Sequence, residues 1–246
     1  MSADPRLDAI VTDLLREKEG EQSLPQRLCD ACLEALPVSA AALTLSNGDG
    51  VHLVVGATDE RTRVLEELEF TLGEGPAVDA SQAGGPVLVT DLREREGTSR
   101  WPAYRPEAAA ANLRSQFSFP LQIGAIRLGV LTLYRNQPGL LSDADMAHAL
   151  AFADAAVIVL LHLQDVSDTE GGLARDLGRR FDMTAELHQA TGMVAVQAGV
   201  GMAEALLLIR GRAFASDRTA VSVARDVLAG RLNFREDKDH DGRQRK

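Results

Sequence analysis

Apolar positions along the chain follow two rhythms, one alternating and one helical. From residue 22 to 36, Leu24, Leu28, Cys32 and Leu36 recur every fourth residue, with Cys29 and Leu33 beside them. That spacing predicts an amphipathic helix. "AAALTLS" (40–46) and "VHLVVGA" (51–57) then flank "NGDG" (47–50), and Asn-Gly and Asp-Gly are strong signals for a hairpin turn. A helix is predicted over 60–70 and a third strand over 85–92. Phe117, Phe119, Leu121 and Ile123 alternate within 114–123, and 126–135 returns after Gly124 as the hairpin partner. The pattern gives about five strands, with helices among them and at both ends, so the fold class is α+β.

The closing helix opens on Ser142 with Asp145 three residues on, the layout of a capping box. Met146, Leu150, Ala153, Val157 and Leu160 follow at heptad spacing. Such a stripe fits either a helix packed on its own sheet or the seam of a dimeric coiled coil. "VSDTEGG" (166–172) is polar, ends in two glycines and reads as a linker.

Beyond it the rhythm is helical throughout. Leu173, Leu177 and Phe181 lead into "AELHQATGMVAVQ", where Leu187, Ala190, Thr191, Val194 and Ala198 share a face. Gly192 interrupts that helix, which suggests close approach of another backbone or a ligand, since glycine there costs about 1 kcal/mol against alanine. Met202, Ala205, Leu206, Ile209 and Ala213 mark a second helix, and Ala220, Ala224, Val227 and Leu228 a third that Gly230 caps. Ser216 and Asp217 are cap candidates between them. Gly199 and Gly201 look at first like a phosphate-binding loop. They follow a helix and no lysine accompanies them, so they read as a corner, with Gly201 as N-cap three residues before Glu204. The chain thus divides into an N-terminal segment (1–21), an α+β domain (22–164), a linker (165–172), a small all-α module (173–232) and a polar C-terminal tail (233–246).

Charge sharpens the division. The net charge is −10 over 246 residues, but residues 173–246 carry 13 Lys+Arg against 10 Asp+Glu, or +3, which leaves −13 for residues 1–172. The less acidic part is the one suited to a polyanion. Between 205 and 234 there are five arginines, no lysine, and only Asp217 and Asp226 as acids. Arg218, Ser222 and Arg225 fall on one face of the third helix, with Arg210 and Arg212 on the second. Guanidinium forks suit phosphate and base edges, and hydroxyls add phosphate contacts. The alternative is a solvated helix face with local ion pairs.

Other chemistry is sparse. Cys29 and Cys32 form a C-x-x-C pattern without further ligands for a zinc site, and their place on the apolar stripe favours packing over redox or metal chemistry. His52 reads as a solvent-facing strand residue, with haem ligation as the alternative. His148 and His162 lie 14 residues apart on one helix, about 21 Å by helical rise, too far to share a metal. His188 has no obvious catalytic partner, and neither a Ser/His/Asp order nor a Walker loop is present in the helical module, so no enzyme activity is expected. The longest strongly apolar run, 151–163, is shorter than the ~20 residues of a membrane span, and the N-terminus does not read as a signal peptide. A soluble cytoplasmic protein is expected.

Residues 22–164 resemble a GAF domain. The resemblance rests on "LGEGPAVDA" (72–80), "GPVLVTDL" (85–92) and "FSFPLQIGAIRLGVLTLYRNQPGLLS" (117–142). It implies a six-stranded antiparallel sheet walling a pocket for a small molecule, with dimerisation as a further role. The pattern of cyclic-nucleotide-binding members is missing, and Ala77 stands where many relatives carry cysteine, so the ligand and any cofactor are left unassigned. Residues 173–232 resemble the ANTAR domain, an RNA-binding three-helix module of bacterial antiterminators. The marks are Ala190 and Gly192, Glu204-Ala205, Ile209-Arg210, Ala213, and Val223-Ala224. Where many members have an aromatic late in the second helix this chain has Arg212, with Phe214 two places on. The two resemblances imply a signal-responsive homodimer that binds RNA hairpins in nascent transcripts and prevents termination. Its candidate RNA contacts are Thr191, Gly192, Arg210, Arg212, Arg218, Thr219, Ser222 and Arg225. The alternatives are a ligand- or redox-sensing protein-interaction module and a DNA-binding helix-turn-helix regulator.

Overall fold

The computed structural model describes residues 4–15, 22–46, 52–94, 100–169, 173–216, 218 and 220–235. The predicted turn at 47–50, the Asp217 cap, Thr219 and most of the C-terminal tail lie outside them. The chain divides into two compact units, Met1–Arg175 and Asp176–Lys246.

The first unit is built on one antiparallel sheet of five strands: β1 Ala40–Ser46, β2 His52–Ala57, β3 Val87–Val89, β4 Ser115–Ile123 and β5 Ile126–Arg135. Their order is β2-β1-β5-β4-β3. Five strands, as the apolar rhythm predicts, stand among the described residues where the family resemblance implied six. The third is much shorter than the predicted 85–92. Pro86 and Gly85 precede it and its two partly buried valines flank an exposed Leu88, which leaves only three residues paired with β4. The β4–β5 hairpin pairs Ser115 with Arg135 through to Ile123 with Ile126. Gly129 lies at the centre, opposite Leu45 of β1 and Leu121 of β4. A side chain there would collide with the Thr44 carbonyl.

Two helix layers cover the sheet. On one face lie α1 (Pro5–Leu15), α2 (Leu24–Ala35) and α6 (Asp143–Thr169); on the other, α3 (Glu60–Leu72), α4 (Pro76–Ala83) and α5 (Tyr104–Ala110). Ser23 caps α2, accepting from the Gln26 N–H, and Pro25 occupies the first turn, where its missing donor costs nothing. Ser142 caps α6 as predicted, its Oγ accepting from the Asp145 N–H at 3.1 Å, while the Asp145 carboxylate accepts from the serine hydroxyl at 2.6 Å where a full capping box would take the Ser142 backbone N–H.

The predicted stripe of α6 splits. Ala153 and Leu160 are buried, but Leu150 is 45% exposed. The inward face runs instead through Ala149, Phe152, Ala156 and Leu160, because the sheet, α1 and α2 together claim a wider arc than one heptad seam. Leu150, Asp154, Val157, Ile158 and Leu161 follow one another along the opposite side, and each is exposed or partly so. By length and composition α6 is apolar enough over Asp143–His162 to cross a membrane, and 44% of that stretch is buried in this fold. The helix continues to Thr169, through the first residues of the expected linker.

In the second unit α7 (Leu173–Ala198), α8 (Met202–Ala215) and α9 (Ala220–Leu228) enclose a core of Ala190, Val194, Ala205, Ile209, Ala213, Val223, Ala224 and Val227. The Gly199–Gly201 stretch is the predicted corner. Gly199 takes φ +66° after the last residue of α7, the Val200 N–H returns to the Ala195 carbonyl, and the Ala205 N–H bonds the Gly201 carbonyl. Gly230 ends α9 at φ +70°.

Candidate functional site

The two faces of the sheet differ in chemistry. Toward α6 the central strands present Leu43, Leu131, Leu133, Phe117, Phe119 and Leu121, all fully or almost fully buried. Toward α3 they present Thr44, Thr132, Tyr134, Gln116 and Ser118, and these are fully buried as well. Facing them from α3 are two carboxyl groups, Glu66 and Glu69, neither with any exposed surface.

Each carboxyl is surrounded by donors. Glu66 Oε1 accepts from the hydroxyls of Thr44 at 2.9 Å and Thr132 at 3.0 Å, and Oε2 accepts from the Tyr134 hydroxyl at 2.5 Å. Glu69 Oε1 accepts from Gln116 Nε2 at 2.5 Å, and Oε2 from the Ala77 N–H at 2.7 Å. Gln116 closes the chain by accepting from the Tyr104 hydroxyl at 2.8 Å. Among the described residues every buried side-chain polar atom has a partner. That is the condition for such a network to persist, because an unsatisfied buried group costs about 1–3 kcal/mol.

Burial pushes the Glu66 carboxyl above the ordinary glutamate range, against the opposing effect of its hydrogen bonds from Tyr134, Thr44 and Thr132. Glu69 is pushed well above it, by burial first and the neighbouring Glu66 charge second. The pair therefore takes up a proton more readily than free glutamates do. The phenols of Tyr104 and Tyr134 are pushed up too, by burial and then by these acids.

The "GEGP" turn organises this interior. Gly73 ends α3 in the left-handed region at φ +67°, and Gly75 takes φ +141° with its Cα against the Glu69 carboxylate, where a methyl group would overlap the acid. Pro76 then opens α4, whose Ala77 N–H caps Glu69. Glu74 reaches the other way and accepts from the backbone N–H groups of Ala103 and Tyr104 at 2.6 and 2.9 Å. One turn thus fixes both an interior acid and the start of the helix bearing Tyr104. Beside it Trp101, at φ +56°, is buried, donates to Asp79 Oδ2 at 3.2 Å and lies under the Arg100 guanidinium at 4.3 Å.

The cysteines take no part. Cys29 and Cys32 are free, fully buried and pushed up as thiols, chiefly by burial. A thiolate is what redox and metal chemistry require, and burial disfavours it at both positions. His52 is half-buried, stacks on Phe70 with centroids 3.9 Å apart, and shares a hydrogen bond with Ser46 at 2.8 Å. The solvent-facing expectation for it is corrected: the Phe70 ring covers one side of the imidazole.

In the helical unit the candidate residues separate. Arg218 and Ser222 meet, with Arg218 Nη2 donating to Ser222 Oγ at 2.7 Å and also to Asp226 Oδ2 at 2.6 Å. Arg225 is exposed and donates from Nε to Glu186 of α7 at 2.7 Å. Arg212 is exposed and Arg210 half-buried. Thr191 drops out of the candidate contacts: it is 3% exposed and its hydroxyl is spent on the Leu187 carbonyl at 2.7 Å. Gly192 has open space where a side chain would stand, so among the described residues no backbone packs against it. Thr219, and the side chain of Phe214, lie outside the described residues.

A GAF domain family model matches residues 18–160, more than half of the chain. The chain belongs to the GAF domain family. Its fold is similar to that of the GAF domain from a phosphoenolpyruvate-protein phosphotransferase of Coxiella burnetii. That structure is 17% identical with a TM-score of 0.51, over 67% of this chain and 98% of that one. The GAF domain of an Acinetobacter phosphoenolpyruvate-protein phosphotransferase is 14% identical with a TM-score of 0.46, over 65% and 93%. That of a two-component sensor histidine kinase from Bacillus halodurans is 13% identical with a TM-score of 0.44, over 64% and 95%. No curated protein matches the sequence significantly. GAF domains are sensor and ligand-binding modules of signalling proteins, and the polar interior lies within the matched residues.

That interior escaped the sequence reading because its residues imitate other things. Thr44, Gln116, Ser118 and Thr132 occupy alternate strand positions, which read as solvent-facing. The one available signal was in α3. Thr62, Leu65, Glu66 and Glu69 fall at i, i+3, i+4 and i+7, a complete inward stripe that contains two acids, while Val64 is 52% exposed.

Proposed function

We propose that this GAF protein is a signal-responsive RNA-binding regulator that acts by transcription antitermination. The GAF domain receives a small molecule and pairs two copies of the chain. The C-terminal unit, like the ANTAR modules it resembles in sequence, binds hairpins in nascent transcripts and so keeps a terminator from forming. The observation that carries the reading is the concentration of arginine on one small three-helix unit, with Arg212, Arg218, Arg225 and Arg231 all exposed. Sheet-facing apolar residues of α6 leave the strip from Leu150 to Leu161 for a second copy, and two copies would raise the effective concentration of a second hairpin-binding unit. A ligand entering between the sheet and α3 exchanges its own donors for those now satisfying Glu66 and Glu69.

Gel-shift titration of the intact protein with hairpin RNA and with duplex DNA tests the reading. Hairpin RNA is expected to bind in preference. A preference for duplex DNA supports a helix-turn-helix regulator instead, and binding of neither leaves a protein-interaction unit. Changing Arg218 and Arg225 together to alanine is expected to weaken RNA binding and to lower the salt slope by roughly 0.7–0.9 for each phosphate no longer neutralised. Unchanged affinity removes these arginines from the interface.

A further inference from the structure

Arg231, which the helical pattern of α9 does not reach, stands with Arg218 around a single carboxylate. Asp226 Oδ2 accepts from Arg218 Nη2 at 2.6 Å, and Oδ1 accepts from Arg231 Nε at 2.8 Å and Nη2 at 2.7 Å. The Arg218 Nε also reaches Ser222 Oγ at 3.1 Å. The acid is the inner member: the Asp226 side chain is 22% exposed, against 39% for Arg218 and 65% for Arg231. The two guanidinium groups hold its carboxyl below the ordinary aspartate range, Arg218 first. A short distance along α9 the arrangement recurs, with Glu186 of α7 33% exposed beneath an Arg225 that is 55% exposed.

We propose that Arg218 and Arg231 form a two-arginine phosphate fork for which Asp226 is the positioning residue, in an RNA interface that extends past the end of α9. The inference rests on the RNA-binding reading above. An arginine carries five N–H donors in a planar fork. Arg218 spends its Nε and Nη2 edge on Ser222 and Asp226, and Arg231 spends the same edge on Asp226. In each, the Nη1 edge has no partner among the described residues and is left to donate to a phosphate oxygen. Holding a long side chain in one rotamer before binding removes an ordering cost that a free arginine meets on association. A lysine ammonium has three donors but no planar pair of edges, so it cannot grip the carboxylate and still present a fixed fork to a phosphate.

The sign of the Asp226 effect separates this arrangement from charge alone. Removing an acid next to a polyanion site should tighten binding if only net charge matters; if Asp226 positions the arginines, removing it weakens binding. The experiment is fluorescence anisotropy of the intact chain with a labelled pool of hairpin RNA of fixed stem and randomised loop, titrated across salt. Arg231→Ala is expected to weaken binding about tenfold and to lower the salt slope by about one. Arg231→Lys should recover less than half of that loss in affinity. Asp226→Asn is expected to weaken binding about threefold, although the variant is more positive. Ser222→Ala, which leaves Asp226 in place, should shift affinity in the same direction and keeps the test valid if Asp226→Asn melts early by circular dichroism. Asp226→Asn binding as tightly as wild type or tighter, or Arg231→Ala with an unaltered slope, overturns the fork while wild-type binding upholds the RNA reading. Wild-type protein that binds no hairpin at about 50 mM salt overturns both.

Discussion

Replacing Glu66 by glutamine separates the hydrogen bonds of the GAF interior from its proton. Alanine is the wrong probe: it would orphan the hydroxyls of Thr44, Thr132 and Tyr134. At about 1–3 kcal/mol each their sum rivals the ~5–15 kcal/mol that holds a whole domain. Glutamine keeps an oxygen for the two threonines and turns its amide toward the Tyr134 hydroxyl, which can accept. The carboxyl's folded-state proton affinity is raised by burial above the ordinary value of 4.5. Between that value and the raised one, the folded state holds a proton that the unfolded state has released. The stability Glu66 contributes is therefore fully present below about pH 4.5 and is lost as pH rises through the folded value, at up to about 1.4 kcal/mol per pH unit for one proton. Urea unfolding between pH 5 and pH 8 measures it, followed by the fluorescence of Trp101, the single tryptophan, which is 6% exposed in the core that contains Tyr104 and Tyr134. Wild type should lose stability relative to Glu66→Gln as pH rises. Parallel pH curves, or a wild type that gains on the variant with rising pH, would refute the buried-proton account.

Gly75→Ala sets a methyl group against the Glu69 carboxylate at a φ of +141° that L residues avoid, so a loss of about 2–4 kcal/mol is expected in the same urea assay; a loss under about 0.5 kcal/mol would show that the turn yields. Gly129→Ala drives a side chain into the Thr44 carbonyl at the centre of the sheet and should cost at least about 2 kcal/mol, a value that a near-neutral measurement contradicts. Both cysteines should resist a water-soluble thiol reagent in native protein and react once urea unfolds the domain, since each is fully buried with its thiol pushed up; rapid native labelling contradicts the packing role.

Most of the architecture was legible in the chain because it is written in local signals. The alternation of Phe117, Phe119 and Leu121 and the Gly124 turn dictated the β4–β5 hairpin. Ser142 and Asp145 dictated the start of α6, and Gly199 with Gly201 the corner between α7 and α8. Ile123, the fourth member of the alternating set, is 45% exposed because it sits at the hairpin tip, beyond the helices that cover the strand. What was not legible depends on which elements cover which face. Polar strand residues look solvated until a helix with Glu66 and Glu69 on its inner side is laid over them. The α6 stripe looked like one seam until α1 and the sheet divided its arc. Thr191 lies on the apolar face of α7 as the sequence pattern places it, and its hydroxyl, the reason to count it among RNA contacts, is taken by the i−4 carbonyl of Leu187. Arg231 was missed for the converse reason. It lies past Gly230, outside any helical period, and only the folded chain turns it back to Asp226.

Sequencing of RNA that co-purifies with the intact protein, against Arg218→Ala/Arg225→Ala/Arg231→Ala purified in parallel, tests the central claim most directly. Wild type should be enriched in transcript segments that fold as short-looped hairpins upstream of terminators, and the triple variant should lose them. Equal RNA profiles from both proteins, or no enrichment of hairpins over total RNA, would contradict it.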